Sequence, residues 1–211
     1  MSPLRRLLET VHLTFAGLWM GALAMTGAAA AVIFPVVKTL DPTLPEYAAY
    51  TGPHWRLAAG HVASRIFLIS DAVQLGCIII TGLTLGVIAL SAEAWAKPIV
   101  TGLRIISLLA AISLMTYSFA FLGPRMNTNM VNYWDAAKTG DNESALAHQQ
   151  AFDKDHPTAS RVMVGSFLCA LLLNTSGAFA ASGASNRNPL TGTSAKRTLE
   201  EPSLSKDKQL R

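Results

Sequence analysis

Four long apolar runs separated by polar intervals set the pattern of this chain. The first, residues 11–34, passes 24 positions without an Asp, Glu, Lys or Arg. At about 1.5 Å of rise per residue, a helix of that length crosses the roughly 30 Å hydrocarbon core of a bilayer. Runs at about 66–90, 99–122 and 162–181 repeat the signal, so the pattern predicts four membrane spans. The fold class that follows is all-α: an integral membrane four-helix bundle, with a hydrated helical excursion between spans three and four. Residues 1–10 read as a short amphipathic lead-in, 11–182 as the transmembrane domain and 183–211 as a disordered tail. The tail has almost no apolar residues and cannot bury enough surface to offset its ordering entropy.

Punctuation between the runs refines the picture. Phe34-Pro35 is expected to stop the first span, because proline removes a helical donor and restricts the residue before it. Residues 35–57, with four of the ten prolines, read as a connecting loop whose Tyr47, Tyr50, His54 and Trp55 suit a water interface. Helix is expected to resume near Leu57. The short Ser91–Pro98 interval predicts that the second and third helices are antiparallel neighbours. Gly123-Pro124 should end the third span, with residues 126–138 extending or restarting helix outside the membrane until Gly140, and Asp141 should cap a second exposed helix ending near Lys154. Gly17 and Gly21 are four apart with Ala24 and Ala28 continuing the same face, and Gly82 and Gly86 repeat the spacing, which predicts close helix contacts on those faces. The first run is too long for the apolar region of a cleaved signal peptide, so a retained helix is expected.

Composition supports lipid as the solvent. The chain is 51% hydrophobic and 14% charged, with a mean hydropathy of +0.34, whereas soluble domains carry nearer a quarter charged residues. A net charge of +4 without a basic stripe makes nucleic acid an unsuitable partner. Cys77 and Cys169 lie inside apolar runs and imply no disulfide framework. Nine lysines and arginines fall on the side of the termini and the Ser91–Pro98 turn, against seven on the other side. The positive-inside rule then places both termini in the cytoplasm of a cell-membrane protein.

Ionisable groups at membrane depth cost on the order of 3 kcal/mol or more, so each marks a partner or a function. Glu9, His12 and Arg104 fall near the terminal side, with Glu9 and His12 on one helical face. They read as a structural pair of Arg104 with Glu9, or as a site in which His12 binds a metal or haem or relays a proton. Asp71 and Gln74 fall near the opposite side, where Arg65, Arg125, His156 and Arg161 also arrive. That group reads as a clasp between spans two, three and four, or as an anion or substrate site. Asp71 and Arg104 should be too far apart in depth to pair. Met20, Met25, Cys77, Met115 and Cys169 read as packing rather than as soft-metal ligands, because no paired spacing links them. HExxH, GxSxG, GxxxxGKS and GxGxxG are all absent from the sequence.

Val11-His12-Leu13, Leu18-Trp19-Met20-Gly21, Ile33-Phe34-Pro35, Leu122-Gly123-Pro124-Arg125, and Phe152 with His156 occur in an order that resembles the transmembrane protein 205-like family. The resemblance covers about residues 7–182 and implies a small four-span membrane protein with a transport or trafficking role and no assigned activity. More distantly, the first span is similar to the copper-resistance D membrane family and to the J-type protoporphyrinogen oxidase, whose equivalent histidine serves haem. Only His12 carries over from these, since Lys97 sits in a turn and Arg104 occupies the third span. The leading expectation is therefore a non-enzymatic membrane protein without a cofactor, handling a solute or metal or supporting a membrane complex. Its partners would be the lipid bilayer and a second copy or a membrane-complex subunit. The alternative is a haem- or copper-binding redox protein using His12.

Overall fold

The computed structural model describes residues 2–182, and the expected tail lies outside them. It is all-helical, with four helices long and apolar enough to cross a membrane. Helix α1 covers Pro3–Leu40, α2 His54–Ala89, α3 Pro98–Tyr117, α4 Gly123–Thr139 and α5 Asn142–Ser182. A π-helical turn, Ser118–Leu122, joins α3 to α4 into one continuous rod. Short 3-10 turns at Pro45–Tyr47 and Ala92–Ala96 lie in the α1–α2 and α2–α3 connections.

The helices are longer than their apolar runs because prolines fail to interrupt them. The lead-in belongs to α1, where the Ser2 hydroxyl accepts from the Arg5 N–H at 3.3 Å and Pro3 takes the first turn. The helix then runs through Pro35 instead of stopping there, and ends where Asp41 adopts a left-handed conformation. One lost N–H is a local defect, and the long helix before Pro35 carries the axis past it for five further residues, Val36 to Leu40. Helix α2 starts at His54, directly after Pro53, three residues ahead of the expected Leu57. Pro157 is likewise inside α5, so the expected exposed helix and the fourth span are one element.

At Gly123-Pro124 the helix extends rather than restarts, by way of the π turn, and runs on to Gly140. The Gly123 N–H reaches back to the Ser118 carbonyl, and a Cβ at residue 123 would stand 2.9 Å from that oxygen. Glycine therefore permits the wide turn that absorbs the missing donor of Pro124.

Spacing of three and four residues puts Glu9, His12, Ala16, Trp19, Leu23 and Thr26 on the inward face of α1. Helix α1 lies along α2 and α5, while α3 and α4 lie along α5. The predicted pairing of α2 with α3 is thus reduced to a loose contact. Gly165 accounts for part of this preference, since its missing Cβ leaves room for Leu114 of α3 only 3.1 Å away. Between α2 and α3 an open apolar cleft of about 440 Å³ remains, lined by Leu75, Ile78, Ile112, Met115, Phe119 and Ala120, with Thr116 at its edge.

The glycine stripes divide differently from the spacing argument. Gly17 meets the Asn174 amide of α5 and Gly82 approaches Leu108, but Gly21 and Gly86 have nothing near them, and Ala24 and Ala28 are exposed. At the end of the molecule opposite the N-terminus, Tyr47, Tyr50, Leu57, Tyr133, Ala137 and Ala145 form a second, aromatic core.

Gly140 ends α4 at φ +78°, and a Cβ there would come within 2.7 Å of the Ala49 methyl. Changing Gly140→Ala should lower stability by about 1–2 kcal/mol from the left-handed backbone alone, with the clash adding to it. Thermal unfolding of the detergent-solubilised protein measures the loss.

Candidate functional site

The polar cluster near the N-terminus is built from three helices. Glu9 and Arg104 are 3% and 2% exposed, and the guanidinium grips the carboxylate with both arms. Nη1 donates to Oε1 at 3.1 Å and Nη2 to Oε2 at 2.8 Å. Two ions removed from water need such a forked geometry to offset their desolvation. Three residues along α1, the fully buried His12 directs Nδ1 at the Thr81 carbonyl of α2, 3.2 Å away, with the Thr84 hydroxyl at 3.3 Å. A carbonyl can only accept, so Nδ1 carries the proton and Nε2 is left as an acceptor without a partner among the described residues. The Thr81 hydroxyl and Arg104 Nε are similarly unpartnered there.

Helix α5 closes the cluster at Gly177. A Cβ at that position would meet Leu13 Cδ2 at 2.8 Å, Arg104 Nη2 at 3.6 Å and His12 Cδ2 at 3.7 Å. Glycine thus lets α5 press close on Leu13, with both polar side chains left at ordinary contact distance. Asn174, one turn earlier, donates from Nδ2 to the Leu13 carbonyl at 3.2 Å. The arrangement ties α1 to α2, α3 and α5 at one depth.

This packing does not fit haem or a copper ion. Among the described residues no three His, Cys, Asp or Glu side chains come together as a donor set, so His12 would stand alone. Its Cδ2 edge, beside the free Nε2, faces the backbone of α5, and a macrocycle plane there would have to displace that helix. The two thiols do not assist: both Cys77 and Cys169 are free and each packs with the core between the helices.

The second predicted group is dispersed. Arg125 engages Asp155 of α5, Nε to Oδ2 at 2.6 Å and Nη2 to Oδ1 at 2.7 Å, rather than Asp71. The physical reason is the packing of the α3–α4 rod on α5, which turns Arg125 toward α5. Arg65, His156 and Arg161 are exposed and make no ion pair with Asp71, and the His156 ring leans on Phe152 at 5.9 Å. Asp71 instead accepts from Gln74 Nε2 at 3.3 Å, and the same amide reaches the Ser70 hydroxyl at 3.2 Å. Ser70 in turn accepts from Thr26 of α1 at 2.5 Å. What was expected as a three-helix clasp is a polar ladder between α1 and α2.

Beside the aromatic core stand two histidines: His54, read from the sequence as an interfacial loop residue, and His61, which the sequence reading passed over. His61 stacks on Trp134 of α4 with ring centroids 3.9 Å apart, and its Nε2 meets the Tyr47 hydroxyl at 2.9 Å. His54 accepts from the Leu44 N–H at 2.9 Å on Nδ1, so its Nε2–H donates to the Tyr50 carbonyl at 3.2 Å. Tyr50 and Tyr133 share a hydroxyl contact of 3.0 Å. Burial pushes the Tyr47 and Tyr133 hydroxyls above the ordinary phenol value, and burial with the nearby Arg65 charge pulls His61 below the ordinary imidazole value. The clustering of Tyr47, Tyr50 and His54 beside the α2 start was the available signal. Their partners on α4 had none.

Removing one member of the ion pair, by Glu9→Ala or Arg104→Ala, should cost about 3–5 kcal/mol, because the other charge stays buried alone. Replacing both together, Glu9→Leu with Arg104→Met, should restore most of that loss in a double-mutant cycle followed by chemical denaturation in micelles. A second expectation concerns pH. The folded His61 has a lower pKa than the unfolded one, so the unfolded chain takes up the proton first and stability falls as pH drops through about 6.5. Melting curves from about pH 8 to 5 should be flatter for His61→Gln than for the wild type over that window. No protein-family model, curated protein or solved structure matches this chain.

Proposed function

We propose that this chain is a non-enzymatic, multi-pass protein of the cell membrane that receives an apolar solute from the lipid phase through the cleft between α2 and α3. The observation that carries the reading is the cleft itself: about 440 Å³, apolar, open at the side, and located within the apolar runs of both helices. The polar groups inside the long helices bond from helix to helix, Glu9 with Arg104 and His12 with Thr81 nearer the termini and Thr26 with Ser70 toward the other end, which supports a binding role over a chemical one. The π turn beside the cleft supports it as well, since such turns often mark functional sites.

In this reading the four helices form a bundle in the bilayer. The α4 helix, the first turns of α5 and the loop with Tyr47 and Tyr50 stand outside it on one side. Arg5 pairs with Glu93 at 3.0 Å and Lys97 donates to the Phe179 carbonyl at 3.2 Å, so the α1 start, the α2–α3 turn and the α5 end share one end of the molecule, and the larger count of Lys and Arg on that side supports a cytoplasmic placement for it. The resemblance to the transmembrane protein 205-like family agrees with a four-span protein in transport or trafficking.

The test uses Nile red, a neutral dye whose emission rises in apolar surroundings, with protein in lipid nanodiscs and empty nanodiscs subtracted. A saturable signal is expected, and Ala120→Phe, which fills the cleft, should remove most of it. A signal unchanged by that substitution would refute the reading.

A further inference from the structure

We propose that the solute of the cleft is an amphiphilic cation, its positive head on the Asp71 carboxylate and its apolar body between α2 and α3. This rests on the cleft being a solute site, and it adds the chemistry of the occupant. Asp71, Leu75 and Ile78 follow one another at i, i+4 and i+7, so the carboxylate shares a flank of α2 with two of the cleft-lining residues. Helical side chains lean toward the N-terminus, which sets the carboxylate on the interfacial side of the cleft. Counting from residue 66, Asp71 lies about 8 Å into the hydrocarbon and Leu75 to Ile78 about 14–18 Å, close to the midplane. An amphiphile lying along the lipid chains has its charge and its body at those two depths.

Charge complementarity decides the sign of the head. Asp71 is half-buried and accepts one long hydrogen bond, 3.3 Å from the neutral Gln74 amide. No Lys, Arg or His forms an ion pair with it among the described residues. Arg125, the cation expected there, is engaged by Asp155, and Arg65 lies six residues away on another face of α2. A carboxylate at membrane depth without a cationic side chain is a place where a ligand cation gains what the protein does not supply. The cleft wall suits the same guest. Phe119 brings an aromatic ring to the lining and Met115 a polarizable thioether, side chains that tolerate a diffuse positive charge. A carboxylate would repel an anionic amphiphile, and a neutral one would leave the Asp71 charge unmatched.

Two ions of the same shape and opposite charge test this. Equilibrium dialysis of nanodisc-embedded protein against tetraphenylphosphonium and against tetraphenylborate, with empty nanodiscs subtracted, separates recognition from partition into lipid. Saturable phosphonium binding and no saturable borate binding are expected. Asp71→Asn should weaken the phosphonium at least about tenfold while Nile red binding persists, since the amide keeps the Gln74 bond and the cleft. Ala120→Phe should abolish both with Asp71 in place, which guards against a folding defect in the asparagine variant. Equal binding of the borate, or phosphonium binding untouched by Asp71→Asn, would overturn the cation assignment alone. Absence of Nile red, phosphonium and borate binding to the wild type would overturn the cleft as a solute site.

Discussion

An ion pair shut away from water is the constraint on which this molecule depends. Arg104 and Glu9 each forfeit hydration, and only the forked contact between them returns part of that cost. Such a contact forms in a single register of α3 against α1. Apolar side chains in a lipid-surrounded protein have little to distinguish one sliding position from another, because the solvent is as apolar as they are. The charges supply the discrimination, and the surrounding residues are arranged around them: His12 fixes α1 to α2 at the same level, and Gly177 lets α5 close over both side chains.

Away from that level the helices are free to diverge. The other end is held by a different chemistry, stacked rings and shared hydroxyls among Tyr47, Tyr50, His61, Tyr133 and Trp134, with Asn142 bonding back to Thr51 and Ala49. Between the two fastenings, α2 and α3 separate enough to leave the apolar cleft. Rigid ends with an open middle are what a protein needs if it is to admit a guest sideways without losing its fold.

Depth was legible in the sequence and azimuth was not. The number of residues from a span end gives the level of a side chain, so Arg104 could be assigned to Glu9's side and Asp71 to Arg125's. Which neighbour a helix turns toward depends on packing, and there the reading failed: Arg125 faces α5, and Gly21 and Gly86 face outward although their spacing is that of a contact stripe. Prolines misled in a related way. Pro35 and Pro124 read as boundaries, since proline weakens a helix locally, but each sits in a rod that continues past the defect, as does Pro157. The cleft left no trace in the pattern because its walls, Leu75, Ile112 and Phe119 among them, are what any lipid-facing helix displays.

The five-residue turn at Ser118–Leu122 changes the phase of everything beyond it. Relative to an uninterrupted α-helix, one additional residue rotates the following positions by about 100° around the axis. Ala111 and Met115 of α3 pack in the core between the long helices and Tyr133 and Ala137 of α4 in the aromatic core, while both halves of the rod keep a side on α5. A single rod thus serves two separate cores, so its two halves can diversify in sequence each against its own set of neighbours.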